Sequence, residues 1–173
     1  MNNKELSTQF NALRSGDINA FEKIYEDLKT PLYTIIVRII GDFGLAEDIL
    51  QEVFIKLYNS PLTNEVHNPR AYIFKMARNI AIDGIRNRRT DTSLDELEET
   101  VQEPENDLTS HLDVEAIMQK LSSIERQIVT LHVNGGLKFR EIADIVGKPL
   151  GTVLWCYQTA VSKLRKYLSG GMI

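Results

Sequence analysis

Three groups of residues carry chemically useful side chains at spacings worth testing. Glu47, Asp48 and Glu52 bring carboxylates onto adjoining turns of "AEDILQEVFIKLY" (46–58), as a hard-cation site would require. No matching histidine or carboxylate cluster elsewhere completes it, and His67, His111 and His132 are scattered without ligand spacing. The second group is cationic. "NPRAYIFKMARNIAIDGIRNRR" (68–89) mixes Lys75, Arg78, Arg86, Arg88 and Arg89 with amide and aromatic side chains. Cations of this kind meet phosphates and release counterions, Asn79 can hydrogen-bond a base edge, and Tyr72 and Phe74 can stack on unpaired bases. On charge alone, an ordinary solvated amphipathic helix with buried aromatics explains the stretch equally well. The third group is "GTVLWCYQTAVSKLRK" (151–166), which follows a Gly-Lys-Pro turn and holds Leu154, Trp155 and Cys156, but no Lys or Arg, in its first two turns.

Other chemistries find no footing. The sequence has no nucleophile elbow and no phosphate-cradling glycine loop. Cys156 is the only cysteine, so an intramolecular disulfide and a thiolate zinc cluster are both excluded. We therefore expect no catalytic residue, no metal and no cofactor. The most apolar run, "LYTIIVRII" (32–40), is too short to span a bilayer and contains Arg38, and no basic start leads into a long apolar stretch. The expectation is a cytoplasmic protein without membrane insertion. Its net charge of −4 conceals an uneven distribution. Residues 61–89 carry six cations against two anions, residues 111–173 eight against five, and residues 90–110 eight anions and no cation.

Helices must position these groups. Apolar residues recur at helical spacing almost throughout, and no stretch alternates convincingly at period two. Thr30-Pro31 and Asn68-Pro69 each place a capping side chain before a proline and predict helix starts. In 46–58, Ile49, Leu50, Val53 and Leu57 face inward, so Asp48, Gln51, Glu52, Ile55 and Lys56 form an outer ridge suited to a protein partner. In the basic stretch Ile73, Ala77, Ile80 and Gly84 face inward. Residues 90–110 bury too little apolar surface to order themselves, although Ser93 with Glu96 could cap one short turn, and they read as an acidic linker. Beyond it, Ser122 and Glu125 predict a capping box, Gly135-Gly136 a helix end, Gly147 a turn and Pro149 the opening of the last helix. That order is a helix-turn-helix. The last helix is expected to bury Val153, Tyr157, Ala160, Val161, Leu164 and Leu168, leaving Trp155, Thr159, Ser162 and Lys166 opposite and Leu154 and Cys156 on the flanks.

Taken in order, "IIGDFGLAEDILQEVFIKLY", the basic stretch and "IERQIVTLHVNGGLKFREIADIVGKPLGTV" resemble a bacterial RNA polymerase sigma factor of the extracytoplasmic-function group, over nearly the whole chain. The resemblance implies an all-α protein of two small helical domains, a region 2 bundle at 1–89 and a region 4 helix-turn-helix at 111–173, joined by the acidic linker 90–110. It implies that Asp48, Gln51, Glu52 and Lys56, with Ile55 on the same ridge, dock on the polymerase clamp helices. Residues 59–68 with Tyr72, Lys75, Asn79 and Asp83 would hold flipped bases of the minus-ten element, alongside Phe74, Arg78, Arg86, Arg88 and Arg89. Region 4 would meet the minus-thirty-five duplex and the polymerase flap, and the linker would thread the RNA path. The partners implied are core polymerase, promoter DNA in double- and single-stranded form, and an anti-sigma factor, which the family often has.

The chain departs from the family pattern where Lys or Arg usually stands, at Leu154, Cys156 and Thr159, and where a small polar residue usually stands, at Trp155. Lys138 replaces a Ser or Thr that commonly caps a helix. The resulting expectation is that Gly151 and Thr152 offer backbone amides to a phosphate and Leu154 and Trp155 touch thymine methyl groups. Gln158 would pair with adenine and Thr159 with either base edge, while Lys148 and Lys163, with Arg165 and Lys166, would touch the DNA backbone. Two other readings compete: a helix-turn-helix regulator that never joins polymerase, and a polymerase adaptor that uses Leu154 and Trp155 for a protein partner.

Overall fold

Side-chain chemistry at the helix ends explains most of the element boundaries. The computed structural model describes residues 1–91 and 109–169, and its regular secondary structure there is helical. The helices are α1 (Asn3–Arg14), α2 (Ile18–Ile40), α3 (Phe43–Asn59), α4 (Pro69–Asp91), α5 (Thr109–Met118), α6 (Ser123–Val133), α7 (Phe139–Val146) and α8 (Leu150–Leu168). Asn2 and Glu5 cap α1 reciprocally, and Ser122 and Glu125 form the expected box on α6. Asp42 accepts from the Leu45 N–H at 2.9 Å to open α3, and Asn68 Oδ1 accepts from the Ala71 N–H at 3.0 Å to open α4. Each such cap is worth about 1 kcal/mol. At α7 the Lys138 side chain cannot accept, and Glu141 supplies the bond instead, taking the Lys138 N–H at 2.7 Å. Gly147, at φ 67°, adopts the left-handed conformation that ends α7 and turns the chain into α8.

The helix start expected at Thr30-Pro31 is absent, because α2 runs unbroken through Pro31. An interior proline costs about 3 kcal/mol. Leu28, Leu32, Ile35 and Ile36 form a fully buried stripe on both sides of it, each worth about 1.5–3 kcal/mol, so packing overrides the local signal. The turn around Ser93 and Glu96 lies outside the described residues.

Helices α1–α4 pack as one group around α2, and α5–α8 as another around α8. The groups meet where α2 packs on α6 and α4 on α7, and one buried cluster runs from Leu6 to Cys156 across the seam. Arginines close it. Arg38 donates to Glu115 (2.7 and 3.2 Å), Thr130 (3.0 Å) and Asn134 (3.0 Å). Arg70 donates to the Gly135 carbonyl at 2.6 Å, and Arg78 to Gln127 at 2.8 Å and the Ile145 carbonyl at 3.3 Å. Arg126 reaches the Met118, Leu121 and Arg38 carbonyls. Most of these carbonyls sit at or just past helix C-termini, where unpaired acceptors and the helix dipole favour a cation.

Candidate protein and nucleic-acid interface

On α3 the Asp42 cap sets the helix phase, and burial of Ile49, Val53, Phe54 and Leu57 turns Asp48, Gln51, Glu52, Ile55 and Lys56 outward. All five expected ridge residues are exposed. Lys56 and Glu52 pair at 2.7 Å one turn apart, which leaves Asp48 and Gln51 at the head of the ridge. Leu50, expected inside, is half-buried, and Phe54 takes the core position instead.

Sequence reasoning missed what lies beside this ridge. A shallow groove of about 370 Å³ is lined by Phe21, Gln51, Phe54, Ile55, Tyr58 and Asn59. Its wall is an aromatic cluster, with Phe21 and Tyr58 edge-to-face at 5.1 Å and Tyr25 against Phe54 at 4.7 Å. The signal was available: Phe21 and Tyr25, and Phe54 and Tyr58, stand four residues apart on neighbouring helices.

α4 packs on α3, and Arg88 ties the two together by donating to Asp42 at 2.9 Å. The Leu45 N–H and the Arg88 guanidinium together hold the Asp42 carboxyl below its ordinary range. The outer face of α4 presents Tyr72, Lys75, Asn79, Asp83 and Arg86, with Asp83 and Arg86 at 3.7 Å. Gly84 faces inward as expected, where a Cβ would stand 3.3 Å from Ile49.

Two α4 expectations need correction. Phe74 is fully buried, with the Arg70 guanidinium 5.6 Å from its ring centroid, so in this arrangement it is core and offers no platform to a base. Arg78, on the same stripe, is half-buried against Gln127 and α7, and burial lowers its pKa although the guanidinium stays charged. Both follow from the second helical group, whose Gly135 turn lies against Phe74 and whose α6 and α7 take the Arg78 hydrogen bonds, on a side of α4 that the sequence leaves open. Ile80 is only half-buried, and Ala81 takes its place in the core. The Arg89 side chain lies outside the described residues.

α8 buries Val153, Cys156 and Ala160. Cys156 thus belongs to the core rather than to a flank, and Leu168, expected in the buried stripe, is exposed. Gly151, Thr152, Leu154, Trp155 and Gln158 are exposed, as is Lys148 just before the helix, while Thr159 is half-buried. Lys163 is engaged by the protein itself, donating to both carboxylate oxygens of Glu125 at 2.8 Å. Burial raises the Glu125 pKa, but the Lys163 and Ser122 hydrogen bonds outweigh it and leave the group below its ordinary value.

Among the described residues no cluster of His, Cys, Asp or Glu could hold a metal ion, and no helix is long and apolar enough to cross a membrane.

Residues 24–90 match the family described as Sigma-70 region 2, and residues 111–153 match Sigma-70, region 4. The second match ends at Val153, one residue before Leu154 and Trp155. The chain is 28% identical to the ECF RNA polymerase sigma factor SigW of Bacillus subtilis, over 90% of this chain and 92% of that one. Two solved structures share the fold. The sigma factor RpoE from Bartonella quintana, in complex with the anti-sigma factor NepR, superposes with a TM-score of 0.70 at 20% identity, over 88% of this chain and 98% of that one. CnrH, in complex with the cytosolic domain of CnrY, gives 0.69 at 18% identity, over 97% and 99%. With both family regions present in order and SigW matched along 92% of its length, the chain belongs to the extracytoplasmic-function group of RNA polymerase sigma factors, which direct polymerase to promoters.

Proposed function

We propose that residues 1–89 grip core polymerase through the exposed α3 ridge, with Asp48 and Gln51 foremost. The outer face of α4 and the stretch 59–68 then hold separated minus-ten strands. The observation that carries this reading is the adjacency of the two surfaces, with α3 and α4 packed together and linked by Arg88 and Asp42. Residues 111–173 meet the upstream duplex and the polymerase flap, and the acidic segment 90–110 follows the RNA path. The chain contributes binding energy in the cytoplasm and leaves catalysis to the polymerase. Both solved neighbours are held by other proteins, NepR as an anti-sigma factor and the cytosolic domain of CnrY, which supports an anti-sigma partner for this chain as well.

The test is co-elution with purified core enzyme at modest ionic strength, followed by run-off transcription. Asp48→Arg or Gln51→Arg, on an exposed face, leaves helix content unchanged and abolishes both signals. Retained co-elution of the variants would refute the ridge assignment, and failure of the parent chain itself to co-elute would favour a free helix-turn-helix regulator. An adaptor role for region 4 draws on the exposure of Leu154 and Trp155, at 38% and 65%. Deleting upstream promoter DNA would be harmless in that case.

A further inference from the structure

The face that α8 offers to a groove has an unusual composition, and its chemistry narrows what it can read. Residues three, four and seven apart share one side of a helix. Gly151, Leu154, Trp155, Gln158 and Ser162 form such a side and are all exposed, while Val153, Cys156 and Ala160 turn into the core. The geometry therefore removes Cys156 from contention and leaves a tryptophan at the centre of the surface. No cation stands on this face before Arg165 and Lys166. At 1.5 Å per residue they lie about 15 Å along the helix from Trp155, farther than the roughly 12 Å width of a major groove. Lys163 is nearer, but it is tied to Glu125.

Guanine is read most often by a guanidinium or ammonium group at O6 and N7, whereas an A·T pair offers a thymine methyl and an adenine edge that apolar and amide groups can satisfy. We propose that α8 selects an A·T-rich duplex element through thymine 5-methyl groups seated on Leu154 and Trp155, with Gln158 on an adenine and no guanine specified by a cation. This rests on the reading of region 4 as a duplex-binding unit. DNA is favoured over a protein partner by the surroundings of the patch. Lys148 precedes α8, and exposed Lys138 and Arg140 stand at the opening of α7, which packs against α8, so cations border an apolar centre as phosphates border a groove.

The experiment assembles holoenzyme from the full chain and core polymerase and selects promoters from a randomised upstream library. The bound element is then rebuilt with deoxyuridine in place of thymidine, a change that removes only the methyl groups. The expected element is A·T-rich without an invariant guanine. Each contacted methyl removed weakens binding about fourfold, from about 0.8 kcal/mol per buried carbon. Trp155→Ala weakens binding to the thymine duplex and loses most of the deoxyuridine effect, whereas Trp155→Phe retains it. An invariant guanine, or equal binding of thymine and uracil duplexes, would overturn the proposal while holoenzyme still forms. So would transcription indifferent to upstream sequence combined with loss of a protein contact in Trp155→Ala, the signature of a protein-binding patch. Failure to assemble holoenzyme would sink the underlying reading along with it.

Discussion

Arg38 is the residue whose replacement most directly tests how the two helical groups are held together. Its side chain is only 9% exposed and meets Glu115, Thr130 and Asn134. Glu115 is 48% exposed, so that ion pair is screened and contributes at most about 1 kcal/mol. Thr130 is fully buried and loses a charged partner on mutation, as does Asn134. Hydrogen bonds to charged groups are worth about 1.5–3 kcal/mol, and the two are not additive because they share one nitrogen. Arg38→Met keeps the aliphatic stem and should destabilise the seam by about 2–4 kcal/mol, a change of roughly 30- to 700-fold in its opening equilibrium. With a urea dependence of about 2 kcal/mol per molar, the unfolding midpoint falls by roughly 1–2 M. A double-mutant cycle with Thr130→Val isolates the contact and should give a coupling of about 1 kcal/mol or more. A midpoint unchanged by Arg38→Met, together with negligible coupling, would refute the argument that this guanidinium clasps α2 to α6.

The remaining predictions separate core from surface and neutral from acid conditions. Phe74→Ala should cost about 3–5 kcal/mol in thermal or urea unfolding because Phe74 is wholly buried, whereas exposed Tyr72→Ala should stay within about 0.5 kcal/mol and act on promoter opening instead, read by permanganate footprinting. If Phe74→Ala left stability intact, its assignment to the core would be wrong. The Glu125 carboxyl titrates below its ordinary 4.5, so its stabilisation is complete above that value and is lost as pH falls through the lower folded-state pKa. Urea midpoints compared at pH about 6 and about 3 should drop less in Glu125→Gln than in the parent chain, and equal drops would remove Glu125 from the account.

Much of the architecture was legible from residue types alone, and the reason is local. Caps such as Asn68 before Pro69 and the Ser122–Glu125 box depend on side chains within three residues of the groups they satisfy, and the distant partners that Asn68 and Glu125 also meet, Glu141 and Lys163, leave those local bonds in place. The α3 ridge was legible for a related reason. Its buried positions fall on one stripe at helical spacing, and whatever does not fall there must face outward. The order of segments, read as a resemblance, carried the family.

Where a second neighbour intervened, local rules failed. Pro31 stayed inside α2 because a buried stripe on both sides outweighed a local penalty. Phe74 and Arg78 changed from a nucleic-acid surface to a seam because the Gly135 turn, α6 and α7 arrive on a second side of α4, and periodicity reveals only the first. Arg38, which reads in sequence as an interruption of an apolar run, found its acceptors 77 to 96 residues away. The sequence by itself determined the helical character, the caps at Asn68 and Ser122 and the exposed ridge, since those follow from interactions spanning one or two turns. Only the tertiary structure decided which polar and aromatic side chains are spent on joining the two halves, because burial of a guanidinium or a ring depends on the surface that arrives opposite it.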